Sequence, residues 1–199
     1  MSSGDHRPPK GFGTAPTTTP TVTAWQHEAD KDKNRSAWLL DTSLPCPCGG
    51  GVVAITTGTT GIKSYEHCCA PYHRGEAHPA SPRLLLQSRY SAFVLRDIRY
   101  IIETTHPINA DWRDDKVAWV KELNRNMFDN HDFCGLEASD ADEMVSDAEG
   151  YLAFTVRLRG KDGSEFETQD LEIRERSRFL KDEKGRWLYA SGDVNVVQE

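Results

Sequence analysis

Four of the five cysteines in this 199-residue chain fall into two tight pairs: Cys46-Pro47-Cys48 and, nineteen residues further on, Cys68-Cys69. An odd total and two adjacent thiols are a poor arrangement for independent disulfides. Four sulfurs in two pairs suit a tetrahedral zinc ion instead. Such a set has no open ligand position, so the expected site is structural rather than catalytic, with one Zn2+ whose binding energy contributes directly to folding a short segment. Gly49, Gly50 and Gly51 let the backbone turn beside the metal. His67 and His73 are rival ligands, and a Cys/His mixture would still be closed. The competing reading is four reduced thiols packed among apolar neighbours. Outside the cluster, His73 and His78 read as surface residues and Cys134, between Phe133 and Leu136, as a buried thiol.

A second chemistry is suggested by the alternation from Leu171 to Lys181. It puts Leu171, Ile173, Glu175, Ser177 and Phe179 on one face and Glu172, Arg174, Arg176 and Arg178 on the other. The first set is mostly apolar and is expected to face the fold's interior, which places the Glu175 carboxylate there. A buried carboxylate is costly unless paired or protonated, and such groups concentrate at functional sites. With His106 and Tyr90 it could form a proton-transfer site: Glu175 or His106 as general base, Tyr90 as donor to a developing oxyanion. The alternative is a fold-stabilising network in which Glu175 pairs with an arginine or histidine and Tyr90 packs beside Phe93. Trp187 and Tyr189 read as core or pocket lining. The outward Arg174, Arg176 and Arg178 are a candidate anion or RNA surface, diluted by Glu172 and Glu183.

The elements that must position these residues follow from periodicity. Val52 to Ile55 and Ile62 to Tyr65, separated by a Thr/Gly-rich stretch, predict a hairpin between the cysteine pairs. Leu85, Leu86, Tyr90, Phe93 and Val94, then Ile98, Ile101 and Ile102 after Asp97, predict helix ending before Pro107. Another helix is expected from about 111 to 128, with Val117, Val120, Leu123 and Met127 on one stripe. Residues 131 to 139, 142 to 159, 165 to 181 and 186 to 193 alternate as strands between turn signals. Helices first and an antiparallel meander afterwards imply an α+β fold, with helices covering one face of a curved, mainly antiparallel sheet.

Residues 1 to about 36 are rich in Pro, Thr, Ser and Gly without helical or strand period, and read as a flexible tail; Trp25, and Trp38, Leu39 and Leu40 at its end, read as incidental apolar residues, with short docking anchors as the alternative. The formal charge of -7 argues against a broad electrostatic grip on nucleic acid or anionic membrane. No stretch reaches the roughly 20 apolar residues of a membrane span, and the first thirty residues lack the core of a secretory signal, so a soluble, cytoplasmic protein is expected.

The segment Lys63-x-Tyr65-x-x-Cys68-Cys69 after Cys46-x-Cys48 resembles the SEC-C zinc-binding motif, with a longer spacer that the hairpin would occupy. Further blocks resemble the YchJ family: Pro71-Tyr72, Gly75-Glu76, Ser88 to Val94, Thr105-His106-Pro107, Glu175 to Lys181, Trp187 and Tyr189. The resemblance spans about residues 44 to 193. It implies a small zinc knuckle followed by a cone similar to nuclear transport factors and ketosteroid isomerases, in which three helices and a bent sheet enclose a pocket. Many members carry a second cysteine knuckle at the C-terminus, which this chain lacks. The expected organisation is a tail over 1–40, a knuckle over 41–78 and a cone over 79–199. The expected function is a zinc-binding, non-enzymatic adaptor whose knuckle docks onto a protein or ribonucleoprotein partner, with a small ligand in the cone as a further option. The alternative is a small-molecule isomerase, cyclase or hydratase acting in the cone.

Overall fold

The computed structural model describes residues 23–30, 41–50, 52–54, 60–140 and 143–198. Helix α1 (Ala24–Asp30) is followed by a two-stranded antiparallel hairpin, β1 (Val52–Ala54) and β2 (Thr60–Ile62), and by the short helix α2 (Ala70–His73). Then come α3 (Pro82–Leu95), α4 (Ile98–Glu103) and α5 (Lys116–Leu123), the last running into a wider π-helical turn over Asn124–Phe128. The remainder is sheet: β3 (His131–Ala138), β4 (Glu143–Ser146), β5 (Glu149–Gly160), β6 (Asp170–Lys181) and β7 (Trp187–Gln198).

Local chemistry sets the helix boundaries. The Ser81 hydroxyl accepts from Leu84 N at 3.2 Å and Pro82 occupies the first turn, where its missing N–H costs nothing. The apolar pattern from Leu85 to Ile102 is broken into two helices because Arg96 turns into the left-handed region (φ 56) and Asp97 caps α4 by accepting from Tyr100 N. The helix expected over 111–128 begins later, at Lys116, where the Asp115 side chain accepts from Ala118 N.

Sheet order is β3-β5-β6-β7, every pairing antiparallel, with β4 also on β5. Bulges between Phe133 and Gly135 and between Arg178 and Phe179 help to bend the sheet around the helices. The expected 142–159 strand is two strands joined by a turn at Asp147-Ala148, and the last strand runs five residues further than its alternation suggests.

The expectation of a structureless tail fails within 24–30. Helix α1 packs on α4 and α5, with Ala29 fully buried in a cluster with Ile98, Ile102 and Trp119 and Trp25 packed against that cluster. Seven residues give too short a window for periodicity to register, and the helix is held by tertiary burial. Trp38, Leu39 and Leu40 lie outside the described residues. Among the described residues no helix is long and apolar enough to cross a membrane.

Candidate metal centre and cone cavity

The sulfurs of Cys46, Cys48, Cys68 and Cys69 converge, all four within 4.8 Å of one another. Cys48 lies 3.5 Å from Cys46 and 3.6 Å from Cys68, and Cys68 lies 3.9 Å from Cys69. A tetrahedron with metal–sulfur bonds of about 2.3 Å has sulfur–sulfur edges of about 3.8 Å, so the cluster already has the dimensions of a metal cage. Local structure puts each pair in place. The Cys46 amide donates to Lys63 O at 2.8 Å, which clips the first pair beside the second. Gly49 turns at φ 63 and returns its amide to Cys46 O at 3.1 Å.

Without a cation the four sulfurs divide their protons unequally. Hydrogen bonds from Cys48, Cys68 and Cys69 hold the Cys46 thiol far below the usual range. Donation to Cys46 and Cys48, together with burial, drives the Cys69 thiol up. The four sulfurs can all be thiolates at this spacing only with a shared cation, and a closed four-sulfur metal site is what the donor set fits.

Neither histidine belongs to the cluster. His67 is exposed, and its Nδ1 is engaged by Ser64 Oγ at 2.9 Å. His73 overturns the expectation of a surface residue, for its side chain is only 1% exposed. Its Nε2 meets Ser88 O at 2.9 Å and must donate, because a carbonyl only accepts; its Nδ1 meets Tyr65 OH at 2.9 Å, and Asp97 Oδ2 lies 3.9 Å away. The residue thus bridges the knuckle to α3. Cys134 is also a correction: it is exposed, because the bulge beside it turns its neighbours Phe133 and Leu136 inward.

The knuckle is packed into the cone. Cys46, Cys48, Tyr65 and Cys69 share one buried cluster with Tyr90, Leu95, Val156 and Leu158. Ser91, buried on α3, donates to Cys69 Sγ at 3.3 Å and lies 3.5 Å from Cys46 Sγ.

Between the helices and the inner face of the sheet lies a cavity of about 320 Å³. The β6 alternation holds, and Ile173, Glu175, Ser177 and Phe179 all line it. Glu175 Oε1 accepts from Ser177 Oγ at 2.5 Å and from Tyr189 OH at 2.9 Å. Burial and the adjacent carboxylate push the Tyr189 phenol up, so it stays a donor. Gly192, opposite Ser177 on β7, makes room for this trio: a Cβ there would lie 2.0 Å from Glu175 Oε1.

Of the other candidates, Tyr90 lines the cavity with its phenol pushed up to about 12 by burial, and its ring meets Phe133 edge-on rather than Phe93. His106 does not line the cavity. Its amide donates to Tyr189 O and its Nδ1 accepts from Ile108 N. Instead of Glu175 pairing with an arginine or histidine, hydroxyls hold it.

The lining also includes Arg89, Asn109 and Asp111, none of them singled out by sequence. Arg89 is 8% exposed, and its Nη1 donates to Ile101 O, Thr104 Oγ1 and Thr105 Oγ1 at 2.8–3.2 Å. A charged residue one turn from Leu85 and from Phe93 on an apolar stripe was the available signal. Outside the cone, Arg174, Arg176 and Arg178 each meet a carboxylate, of Glu172, Glu143 and Glu149 respectively, so the arginine stripe is largely neutralised.

Three helices against a bent antiparallel sheet, with a cavity between them and a four-cysteine cluster at the N-terminal side, define an NTF2-like cone carrying a SEC-C-type cysteine site. Residues 81–192 match the family model described as YchJ, middle NTF2-like domain, and the chain belongs to the YchJ family. A UPF0225 protein of Deinococcus radiodurans is 36% identical over 146 residues, covering 73% of this chain and 85% of the relative. A UPF0225 protein of Serratia proteamaculans is 34% identical over 149 residues, covering 74% and 81%. Among solved structures, a SEC-C motif containing protein from Rhodopseudomonas palustris superposes with a TM-score of 0.53 at 30% identity, over 67% of this chain and 93% of that one. Another, from Psychrobacter arcticus, gives 0.55 at 25% identity, over 75% and 82%.

Proposed function

We propose that the chain is a zinc-braced, non-enzymatic protein that binds a small molecule in its cone. Cys46, Cys48, Cys68 and Cys69 hold one structural zinc ion, a metal favoured by four soft thiolates in a closed tetrahedron. The observation that carries the reading is the double position of Tyr90, which packs in the cluster around the sulfurs and also forms part of the cavity wall. The brace therefore fixes a helix that shapes the pocket. The pocket is a mostly apolar concavity with a few convergent polar groups, which is the usual character of a ligand site.

The test has two arms. Elemental analysis of the purified chain should find one zinc per molecule. The neutral fluorophore N-phenyl-1-naphthylamine should bind at one site and be excluded by Val194→Trp at the half-exposed cavity mouth. A metal-free native protein, or dye binding unaffected by that substitution, counts against the reading.

Docking of a protein or ribonucleoprotein partner on the knuckle is a separate reading. It would have to use the face carrying Glu66 and His67, since Cys46, Cys48 and Cys69 are buried. An isomerase, cyclase or hydratase reading would rest on Glu175 as base, with Tyr90 beside the same cavity and His106 outside it.

A further inference from the structure

The polar groups of the cone cavity centre on the Glu175 carboxylate. Both hydroxyl bonds to Glu175 end on Oε1, and among the described residues Oε2 has no hydrogen-bond or ion-pair partner. Two further charged groups line the cavity, Asp111 and Arg89. The Arg89 guanidinium makes no direct bond to Glu175: Nη1 closes α3 onto α4 through three oxygens, its carbon lies 4.9 Å over the Tyr189 ring, and the Glu175 charge acts on it only at a distance. Two carboxylates against one such guanidinium leave the lining net negative. The remaining wall is largely apolar, a mixture of aliphatic side chains with the rings of Tyr90, Phe93, Trp119, Phe133, Phe154 and Phe179.

A carboxylate in an apolar cavity lined in part by aromatic rings is best satisfied by a cation that brings its own apolar body. The charge meets the free oxygen, the ring quadrupoles favour the positive end, and the body replaces water along the wall. We propose that the cone cavity binds an organic cation, an aromatic-bodied primary amine whose ammonium group donates to Glu175 Oε2. This rests on the ligand-binding reading above and adds the class of ligand.

The test uses three probes of nearly one shape, titrated calorimetrically into the full-length, metal-loaded chain: 2-phenylethylamine as cation, 2-phenylethanol as neutral and phenylacetate as anion. The amine should bind tighter than the alcohol by about tenfold or more, as expected for a hydrogen bond to a charged group, and phenylacetate should be weakest. Glu175→Gln, which keeps an oxygen for Tyr189 and Ser177, should remove the amine's advantage and leave the alcohol within about twofold. The probe order on the unmodified chain decides even if that variant folds poorly. Alcohol binding as tight as amine, or a preference for phenylacetate, overturns the cation assignment while the cavity reading stands. No binding of any probe overturns it too, and the naphthylamine dye then tells whether the cavity reading falls with it.

Discussion

Ser91 donates its hydroxyl proton to Cys69 Sγ at 3.3 Å, a bond that runs from the first cone helix into the knuckle. The same oxygen lies 3.5 Å from Cys46 Sγ, so one buried hydroxyl touches both cysteine pairs. Donors to metal-bound thiolates spread their charge and fix their orientation. Ser91 is thereby a positioning residue for the cysteine cage, one step along the helix from Tyr90 at the cavity wall.

Ser91→Ala should keep the fold and the metal but loosen the cage. Loss of an outer hydrogen bond of this type weakens metal binding by about 10- to 100-fold. Competition against a chromogenic chelator measures it. Identical metal release from the variant and the parent would show that the hydroxyl contributes only packing.

Metal removal should destabilise the cone as well as the knuckle. Cys46, Cys48 and Cys69 share a buried cluster with Val156 and Leu158 of β5, so losing the cage opens part of the core. Since structural metal binding is folding free energy, chelation is expected to lower the melting temperature by about 10 °C or more and to weaken naphthylamine binding in parallel. Scanning fluorimetry with and without chelator reads both. A melting curve indifferent to the chelator, with metal loss verified, would detach the knuckle from the cone.

The cysteine pairs and the inward face of β6 were legible in the sequence because both are short-range patterns: adjacency for Cys68-Cys69, period two for Ile173, Glu175, Ser177 and Phe179. Helix α1 was missed because Ala29 and Trp25 are ordered by contacts with residues about seventy or more positions away. The burial of His73 depends on Tyr65, Ser88 and Asp97, which come together only in the folded chain. Cys134 was misplaced because its burial was inferred from the apolar neighbours Phe133 and Leu136, which face inward while Cys134, at the bulge between them, faces out. His106 was expected beside Glu175 by its position near a helix end, but its backbone is instead tied to Tyr189 O. Arg89 was visible as a misfit on an apolar stripe, yet its purpose requires Thr104 and Thr105 from the next helix.

Replacing Arg89 should be costly for stability. Arg89→Leu would remove the donor shared by Ile101 O, Thr104 Oγ1 and Thr105 Oγ1 in a buried place, at about 2–4 kcal/mol. Arg89→Lys should recover part of this, since an ammonium can reach some of the oxygens but cannot reproduce the planar fork. Urea unfolding monitored by circular dichroism gives both values. Equal stability of the Leu variant and the parent would mean that water satisfies those oxygens and that the guanidinium is dispensable.

Gly192→Ala separates the cavity from the metal. The added methyl would lie 2.0 Å from Glu175 Oε1 and 2.7 Å from Tyr189 OH, and the β7 backbone cannot retreat freely because Gly192 is paired with Ser177 on β6. Glu175 is the flexible member, so its carboxylate must swing away and give up the Ser177 and Tyr189 hydroxyls. The expected outcome is full zinc content, a stability loss of about 1–2 kcal/mol and naphthylamine affinity reduced severalfold. Metal analysis, urea unfolding and dye titration on one preparation distinguish the effects. Unchanged dye binding together with unchanged stability would show that the carboxylate can relocate without loss, and that the Ser177–Glu175–Tyr189 arrangement does not shape the pocket.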